Sequence, residues 1–323
     1  MQPPIDTITH ANQPTHTKTH VAERCALSIV YPTVEGDTIK VCITGAAGML
    51  GRAVANCPPA DINAVRLTRA NGDLADPQTA HALLATHRPD TVIHCAAYTD
   101  VDGCTRDAQR AWQNNAQATR LLAAACAADK IRLVALSTEY VFSGTKNEPY
   151  EPDDEPAPIN TYGQSKLAGE RAVAENLADY LIVRTQWLFG PGGNNFVSAI
   201  LDRAEAGDAL KIIESEIGSP TYALDLAPAL WMAVQSGLQG IVHITNSGIC
   251  SRLELARYAL QAADLSHVQI EPIAASEWPS PTKRPQRAVL SNSRWLQAGH
   301  PPLRSWEQAV ADFVDIYIKH REG

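Results

Sequence analysis

Several things this sequence lacks narrow its function before any motif is weighed. It has no run of about 18 apolar residues, so no segment reads as a membrane span. It has no excess of positive charge. Its 27 Lys and Arg against 35 Asp and Glu give a net charge of −8, which argues against nucleic acid or an anionic membrane as partner, since both are anions. A local basic pocket for a phosphorylated substrate is still compatible with that balance. No Cys-x-x-Cys pair occurs, and none of the seven cysteines stands beside a His at zinc-ligand spacing. Several lie in apolar, strand-like runs, so they read as small buried hydrophobes in a reducing cytoplasm rather than as a disulfide framework. The opening stretch lacks the basic start and apolar core of a secretory signal. Residues 1–37, rich in Thr, His, Pro and Gln near their start, read as a disordered extension. His10, His16 and His20 suit no single helix face and read as part of that tail, not as a metal cluster.

What is present is a chain of 323 residues, 45% hydrophobic, enough for a large domain with a smaller partner. Regular patterning begins at Ile39. The apolar run Ile39-Lys40-Val41-Cys42-Ile43-Thr44 reads as a buried strand. It leads into Gly45-Ala46-Ala47-Gly48-Met49-Leu50-Gly51 and then a helical stretch. Glycines at this spacing let the backbone turn tightly and approach a pyrophosphate, while the helix N-terminus offers free N–H groups to the anion. Further strands are expected at 64–68, 91–97, 131–137 and 180–184, separated by helix-length segments. One such helix is expected to start with Asp76 as N-cap and Pro77 at its first position. Strands alternating with helices imply an α/β fold with a parallel, doubly wound sheet. Ligands of such sheets bind beyond the carboxyl ends of the strands.

Tyr162 and Lys166, four residues apart on the next helix, can face one site. A phenol has a pKa near 10, and a neighbouring ammonium is expected to lower it, making Tyr162 a usable proton donor to a ketone oxygen. Thr138, at a strand end, can add a second hydrogen bond to that oxygen. Tyr-x-x-x-Lys alone is a weak signal. Its order after a glycine loop and a strand-end Ser-Thr is what strengthens it. No Asp or Glu lies between Asn63 and Gly72, whereas Arg66 and Arg69 do. An acid there would bind a ribose diol and repel a 2′-phosphate. Arg69 can pair with that phosphate, so NADP(H) is preferred and NAD(H) is allowed. Asp100 and Asp102 read as helix-capping residues, and His94 and His243 as hydrogen-bonded core histidines.

With these residues in view, the chain resembles the extended short-chain dehydrogenase/reductases, and among them the dTDP-4-dehydrorhamnose reductase family. The resemblance is carried by Ser137-Thr138-Glu139-Tyr140-Val141-Phe142, by Tyr162-Gly163-Gln164-Ser165-Lys166, by Arg184-Thr185-Gln186-Trp187, by Asn194-Asn195-Phe196, by Ile217-Gly218-Ser219-Pro220-Thr221 and by Lys283-Arg284-Pro285. It implies a Rossmann-type NAD(P)-binding domain over 38–190, to which the chain can return later, and a smaller C-terminal α/β substrate lobe mainly over 191–323. The implied activity is NAD(P)H-dependent reduction of a nucleotide-linked 4-keto-6-deoxy sugar. Gly45, Gly48, Met49, Leu50 and Gly51 would hold the cofactor pyrophosphate, Asp73 and Leu74 would flank the adenine, and Ala97, Tyr98 and Thr99 would line the groove. Thr138, Tyr162 and Lys166 would be catalytic. Glu139, Tyr140, Trp187, Asn195 and Arg284 would meet the substrate, with Arg284 toward a phosphate. Two departures stand out. The family usually has Asp where this chain has Glu139, which bears on sugar specificity. Acidic residues that help some members bind magnesium are replaced by Arg52-Ala53-Val54-Ala55, so no metal is expected. The resemblance is compatible with a homodimer. A nucleotide-sugar epimerase or dehydratase, and a non-catalytic subunit like the regulatory partner of methionine adenosyltransferase, are the alternative readings.

Overall fold

The computed structural model of the chain describes residues 38–322, so the expected N-terminal extension lies outside the described residues. Six strands form one parallel sheet: β1 (Ile39–Thr44), β2 (Ile62–Leu67), β3 (Thr91–His94), β4 (Arg132–Thr138), β5 (Tyr180–Thr185) and β6 (Gly240–His243), in the order β6-β5-β4-β3-β1-β2. Val41 to Thr44, Thr91 to His94 and Leu133 to Thr138 are buried throughout. Such unbroken apolar runs are what a sheet covered on both faces requires.

The helices Met49–Asn56 and Ala223–Gln235 cover one face, where Trp231 packs in the core and its indole donates to the Val54 carbonyl (3.1 Å). The helices Thr79–His87 and Ala118–Asp129 cover the other with Leu84, Leu122 and Cys126, joined by Val173 from the helix Thr161–Asn176. The winding reverses between β1 and β3. The carboxyl ends of the strands there leave a crevice in which ligands of this architecture sit. A second apolar core, built on Phe189, Ile200, Leu255, Trp306 and Phe313, lies beyond the strand ends. There Leu210–Ile213 pairs in parallel with Ile270–Ile273. Between those segments the chain crosses back to supply the helix Ala223–Gln235 and β6 to the large sheet.

One local expectation is corrected. The helix expected at Asp76 begins at Thr79, because the Asp76 carboxylate accepts the Gln78 N–H (2.8 Å) and closes a side-chain turn ahead of it. The helical segment that precedes β4 is not uniform. Trp112–Gln117 is wound as a π-helix, a form that often marks a functional site.

Candidate active site

The glycine loop is fixed by contacts only glycine tolerates. Gly45 has φ +65°, and a Cβ there would lie 2.6 Å from the Ala96 nitrogen; one on Gly51 would lie 2.2 Å from the Gly45 oxygen. Gly48 is the N-cap of Met49–Asn56 and provides no side-chain hydrogen bond, so the first-turn N–H groups are left for an anion. Arg52, where some relatives are expected to carry acids, instead donates to Ala47 O (2.7 Å) and Gly192 O (2.8 Å), tying the loop after Phe189 to the glycine loop.

Three adjoining cavities run along the crevice. The first, about 320 Å³, lies over β1 and β2 and is lined by Gly45, Gly48, Arg69, Asp73, Leu74, Ala97 and Tyr98. It also contains Arg110, whose guanidinium lies 4.3 Å from the centre of the Tyr98 ring, and Asn114, which accepts from Arg69 (2.9 Å). Arg66 points elsewhere and is bonded to Ala55 O and Asn56, leaving Arg69 as the arginine of that pair in the cavity. The second, about 390 Å³, brings Met49, Leu50, Gly51, Ala97 and Thr99 together with Thr138, Glu139, Tyr140, Tyr162, Lys166 and Trp187. The third, about 630 Å³, continues into the small lobe past Tyr140, Asn195 and Arg284. Each volume is of the size that small-molecule sites occupy.

Tyr162 stands in the first turn of the helix Thr161–Asn176, which Asn160 caps by accepting from Gly163 N (2.9 Å). A Cβ on Gly163 would come 2.0 Å from the Tyr140 carbonyl, so glycine lets this helix end settle against the Glu139–Val141 turn. Ser165 donates to Tyr162 O, and Asn115 donates to Ser165 (3.1 Å) and to Tyr98 O (3.0 Å) while accepting from Tyr98 N (2.7 Å). The π-wound segment thereby ties the backbone at Tyr98 to the helix that bears Tyr162 and Lys166.

The electrostatics differ from the expectation at one point. Lys166 does not lower the Tyr162 pKa here. Burial and the Glu139 carboxylate push the phenol above its ordinary value. Lys166 donates to Leu136 O (2.7 Å), and burial lowers its own pKa to about 8. Spacing cannot show burial, and burial dominates. The consequence suits a reduction, because a phenol that holds its proton at neutral pH is a loaded donor. Glu139 is 3% exposed, accepts from Thr138 (2.7 Å) and is pushed up to about 7 by burial. The buried hydroxyls of Ser137 and Thr185 have no protein partner and line the same cavity, which leaves them for a ligand.

Trp187 adopts φ +46°, a strained conformation for a bulky residue of the kind that collects at binding sites. Arg252 stacks on it, 3.6 Å from the ring centre, and on Phe196 (4.7 Å), and its Nε bonds Glu216 (3.4 Å). Arg284 bonds Asp102 (2.9 Å) and Ser280 (2.7 Å), so Asp102 serves as an ion-pair partner rather than as a cap, whereas Asp100 does cap Val101–Arg106. Asn195 lines the third cavity and also caps Phe196–Glu205. His94 bonds Thr44 and Thr119, and His243 bonds Tyr150 O, as expected of core histidines. The structure therefore gathers every expected cofactor, catalytic and substrate residue along one crevice. It adds Asn115, Arg110, Glu216 and Arg252, which sequence reading missed. Asn115 left a faint trace as a polar pair with Asn114 beside an Ala-rich helix. Arg252, the first residue of a capped surface-type helix, left none.

Among known proteins, the RmlD substrate binding domain family matches residues 39–318. The chain is 41% identical to the dTDP-4-dehydrorhamnose reductase of Mycolicibacterium smegmatis, covering 86% of each chain. It is 36% identical to the dTDP-4-keto-6-deoxy-D-glucose reductase of Streptomyces niveus, over 83% of this chain and 94% of that one. The crystal structure of dTDP-4-dehydrorhamnose reductase from Bacillus anthracis in complex with NADP superposes with a TM-score of 0.83 at 33% identity, over 87% of this chain and 99% of that one.

Proposed function

The chain belongs to the RmlD substrate binding domain family, and from that premise we propose that it is an NADPH-dependent reductase of a dTDP-linked 4-keto-6-deoxy sugar, with dTDP-4-dehydrorhamnose as the ketone and dTDP-rhamnose as the product. The observation that carries this reading is the joining of two half-sites in one crevice: an uncapped helix N-terminus behind a glycine cradle, and a buried Thr138–Tyr162–Lys166 set beside Trp187.

The residues present fit a nicotinamide dinucleotide. Gly45, Gly48, Met49, Leu50 and Gly51 would hold its pyrophosphate, Asp73 and Leu74 its adenine, and Ala97, Tyr98 and Thr99 the groove between. Arg69, with Arg110 beside it and no acid at the end of β2, favours a 2′-phosphate, hence NADPH over NADH. When bound, the cofactor supplies the hydride.

Tyr162 gives its proton to the ketone oxygen as that oxygen gains charge. Thr138 gives the same oxygen a hydrogen bond, which is worth most in a cavity that excludes water. Lys166, its amine fixed by the Leu136 carbonyl, would hold the cofactor ribose. Glu139 and Tyr140 face the sugar, Trp187 covers it, and Asn195 and Arg284 flank the cavity that takes the nucleotide. Residues 38–190, with the returning segment 223–243, thus form the cofactor domain, and the rest of 191–323 forms the substrate lobe.

A steady-state assay with dTDP-4-keto-6-deoxy sugars and each reduced nicotinamide tests the reading. Net oxidation of NADPH is expected, with NADH slower, and Tyr162→Phe should lower kcat by roughly 100-fold or more. An epimerase or dehydratase would return its cofactor and consume none. A non-catalytic regulatory subunit would bind NADPH and turn over nothing.

A further inference from the structure

A keto sugar joined to a nucleoside through a diphosphate must carry two phosphates past the place where the sugar cavity opens into the nucleoside cavity. Five residues line both the second and the third cavity: Thr99, Val101, Tyr140, Asn194 and Arg252. Arg252 is the one cation among them.

The local chain explains how it comes to stand there. Ile217–Gly218 pairs antiparallel with Cys250–Ser251, with Ser251 opposite Ile217. Glu216 and Arg252 therefore leave this short ladder side by side, and Arg252 N donates to Glu216 O (3.0 Å). A Cβ on Gly218 would come 2.7 Å from Trp187 Cε2, so glycine admits the indole beside the pair. The Arg252 guanidinium lies 3.6 Å from the centre of the Trp187 ring and 4.7 Å from that of Phe196, and its Nε donates to Glu216 (3.4 Å). Its two terminal nitrogens have no hydrogen-bond partner among the described residues. On a side chain only 15% exposed, such donors are left for a ligand. The other cations of the two cavities are engaged. Lys166 donates to Leu136 O, and Arg284 spends both terminal nitrogens on Ser280 and Asp102. Arg203 donates to Ala209 O, and Lys211 pairs with Glu271 (3.3 Å).

Resting on the reading of the substrate as a dTDP-linked sugar, we propose that Arg252 binds the diphosphate of that sugar nucleotide with its free guanidinium fork. Two parallel N–H groups match two phosphate oxygens, a geometry that lysine lacks. The two rings and Glu216 fix the guanidinium before the substrate arrives, so little side-chain freedom is lost on binding. Glu216 holds the group through Nε alone, and the fork stays open to the cavities.

The test is isothermal titration of the full chain in the presence of NADPH, with dTDP and with thymidine as probes, for wild type, Arg252→Met and Arg252→Lys. Methionine keeps an apolar stem against Trp187 and Phe196 but loses the charge. Arg252→Met should raise the Kd for dTDP between about 10- and 100-fold, the scale of a lost charge-assisted pair, and leave that for thymidine within about twofold. Arg252→Lys should fall between wild type and Arg252→Met. The Kd of wild type for dTDP should rise more steeply with salt than that of Arg252→Met. Arg252→Met leaves Glu216 without its cation, so the double variant Arg252→Met/Glu216→Gln is run beside it. The double variant should show the same loss for dTDP. In steady state with dTDP-4-dehydrorhamnose the loss should fall on the KM for the sugar nucleotide rather than on kcat, as for an interaction made equally in ground and transition states. Wild-type affinity for dTDP in Arg252→Met overturns the proposal, as does an equal loss for dTDP and thymidine, or a fall in kcat with KM unchanged. A wild type that oxidises no NADPH with any dTDP-4-keto sugar, yet binds dTDP in an Arg252-dependent way, sinks the reductase reading and leaves the diphosphate subsite standing. An active reductase whose dTDP affinity ignores Arg252 sinks the subsite alone.

Discussion

Single residues carry charges whose behaviour depends on surroundings more than on identity. Glu139 is the clearest case, and the sign of its contribution to stability can be worked out. Its folded pKa, about 7, lies above its ordinary value of 4.5, so the fold favours the protonated form. That contribution is fully present below the ordinary value and is lost as pH rises through about 7. Glu139→Gln should therefore gain on wild type in melting temperature between about pH 5 and about pH 8, as differential scanning fluorimetry would show. An unchanged gap across that range would mean the carboxyl is not buried as described. Arg69 makes a second claim at this scale. Arg69→Ala should raise the KM for NADPH by roughly tenfold, the scale of one lost charge-assisted bond, and leave that for NADH nearly unchanged. Equal effects on both would remove the 2′-phosphate role. The sequence made Tyr162, Lys166 and Arg69 visible because each sits at a fixed offset from a strand end. It could not show the direction of the Tyr162 shift, which follows from burial and from Glu139, a residue 23 positions away in the chain.

At the scale of elements, the site depends on a few tight junctions. The glycine loop meets the end of β3 at Gly45, so Gly45→Ala, with a left-handed φ and a clash with Ala96, should abolish NADPH binding or prevent folding; isothermal titration with a circular dichroism control distinguishes the two. The helix Thr161–Asn176 is pinned to β5 by the buried pair of Arg184 and Glu170, bonded at 2.9 and 2.7 Å, with Arg184 also reaching Pro152 O. Removing one partner leaves a charge buried alone. Glu170→Gln should cost about 3–5 kcal/mol in urea denaturation, and a loss below about 1 kcal/mol would show that the pair is better hydrated than described. The strands and the Gly45–Gly51 loop were legible because apolar runs and glycine spacing are local signals. The π-wound Trp112–Gln117 was not, since it is imposed by what Asn115 reaches across the fold at Tyr98 and Ser165. The start of the Thr79–His87 helix was misplaced because a cap and a side-chain turn at Asp76 look alike in sequence.

At the scale of the molecule, the three cavities lie along a crevice between a parallel sheet and a second core, and the chain passes between them more than once. No helix among the described residues is long and apolar enough to cross a membrane. Cavities shared by both parts explain why Arg252, from the second core's side, reaches the cavity of Tyr162 and Lys166, with Glu216 lining the next one, although nothing near them in sequence announces it. A site assembled from so many elements should be stabilised as a unit by its cofactor. NADPH at about 100 times its Kd should add about 2.7 kcal/mol to unfolding, and NADH at the same concentration less, because it binds more weakly.

The central claim is that the joined half-sites perform a net hydride-and-proton reduction of a dTDP-linked 4-keto sugar. It is tested most directly by supplying NADPH deuterated at the transferable position together with dTDP-4-dehydrorhamnose, then locating the label and counting the cofactor. The account predicts one NADPH consumed per sugar, deuterium on the carbon that had borne the ketone, and no measurable turnover by Tyr162→Phe on the same time scale. Product carrying no deuterium, cofactor returned unconsumed, or wild-type rates from Tyr162→Phe would contradict it.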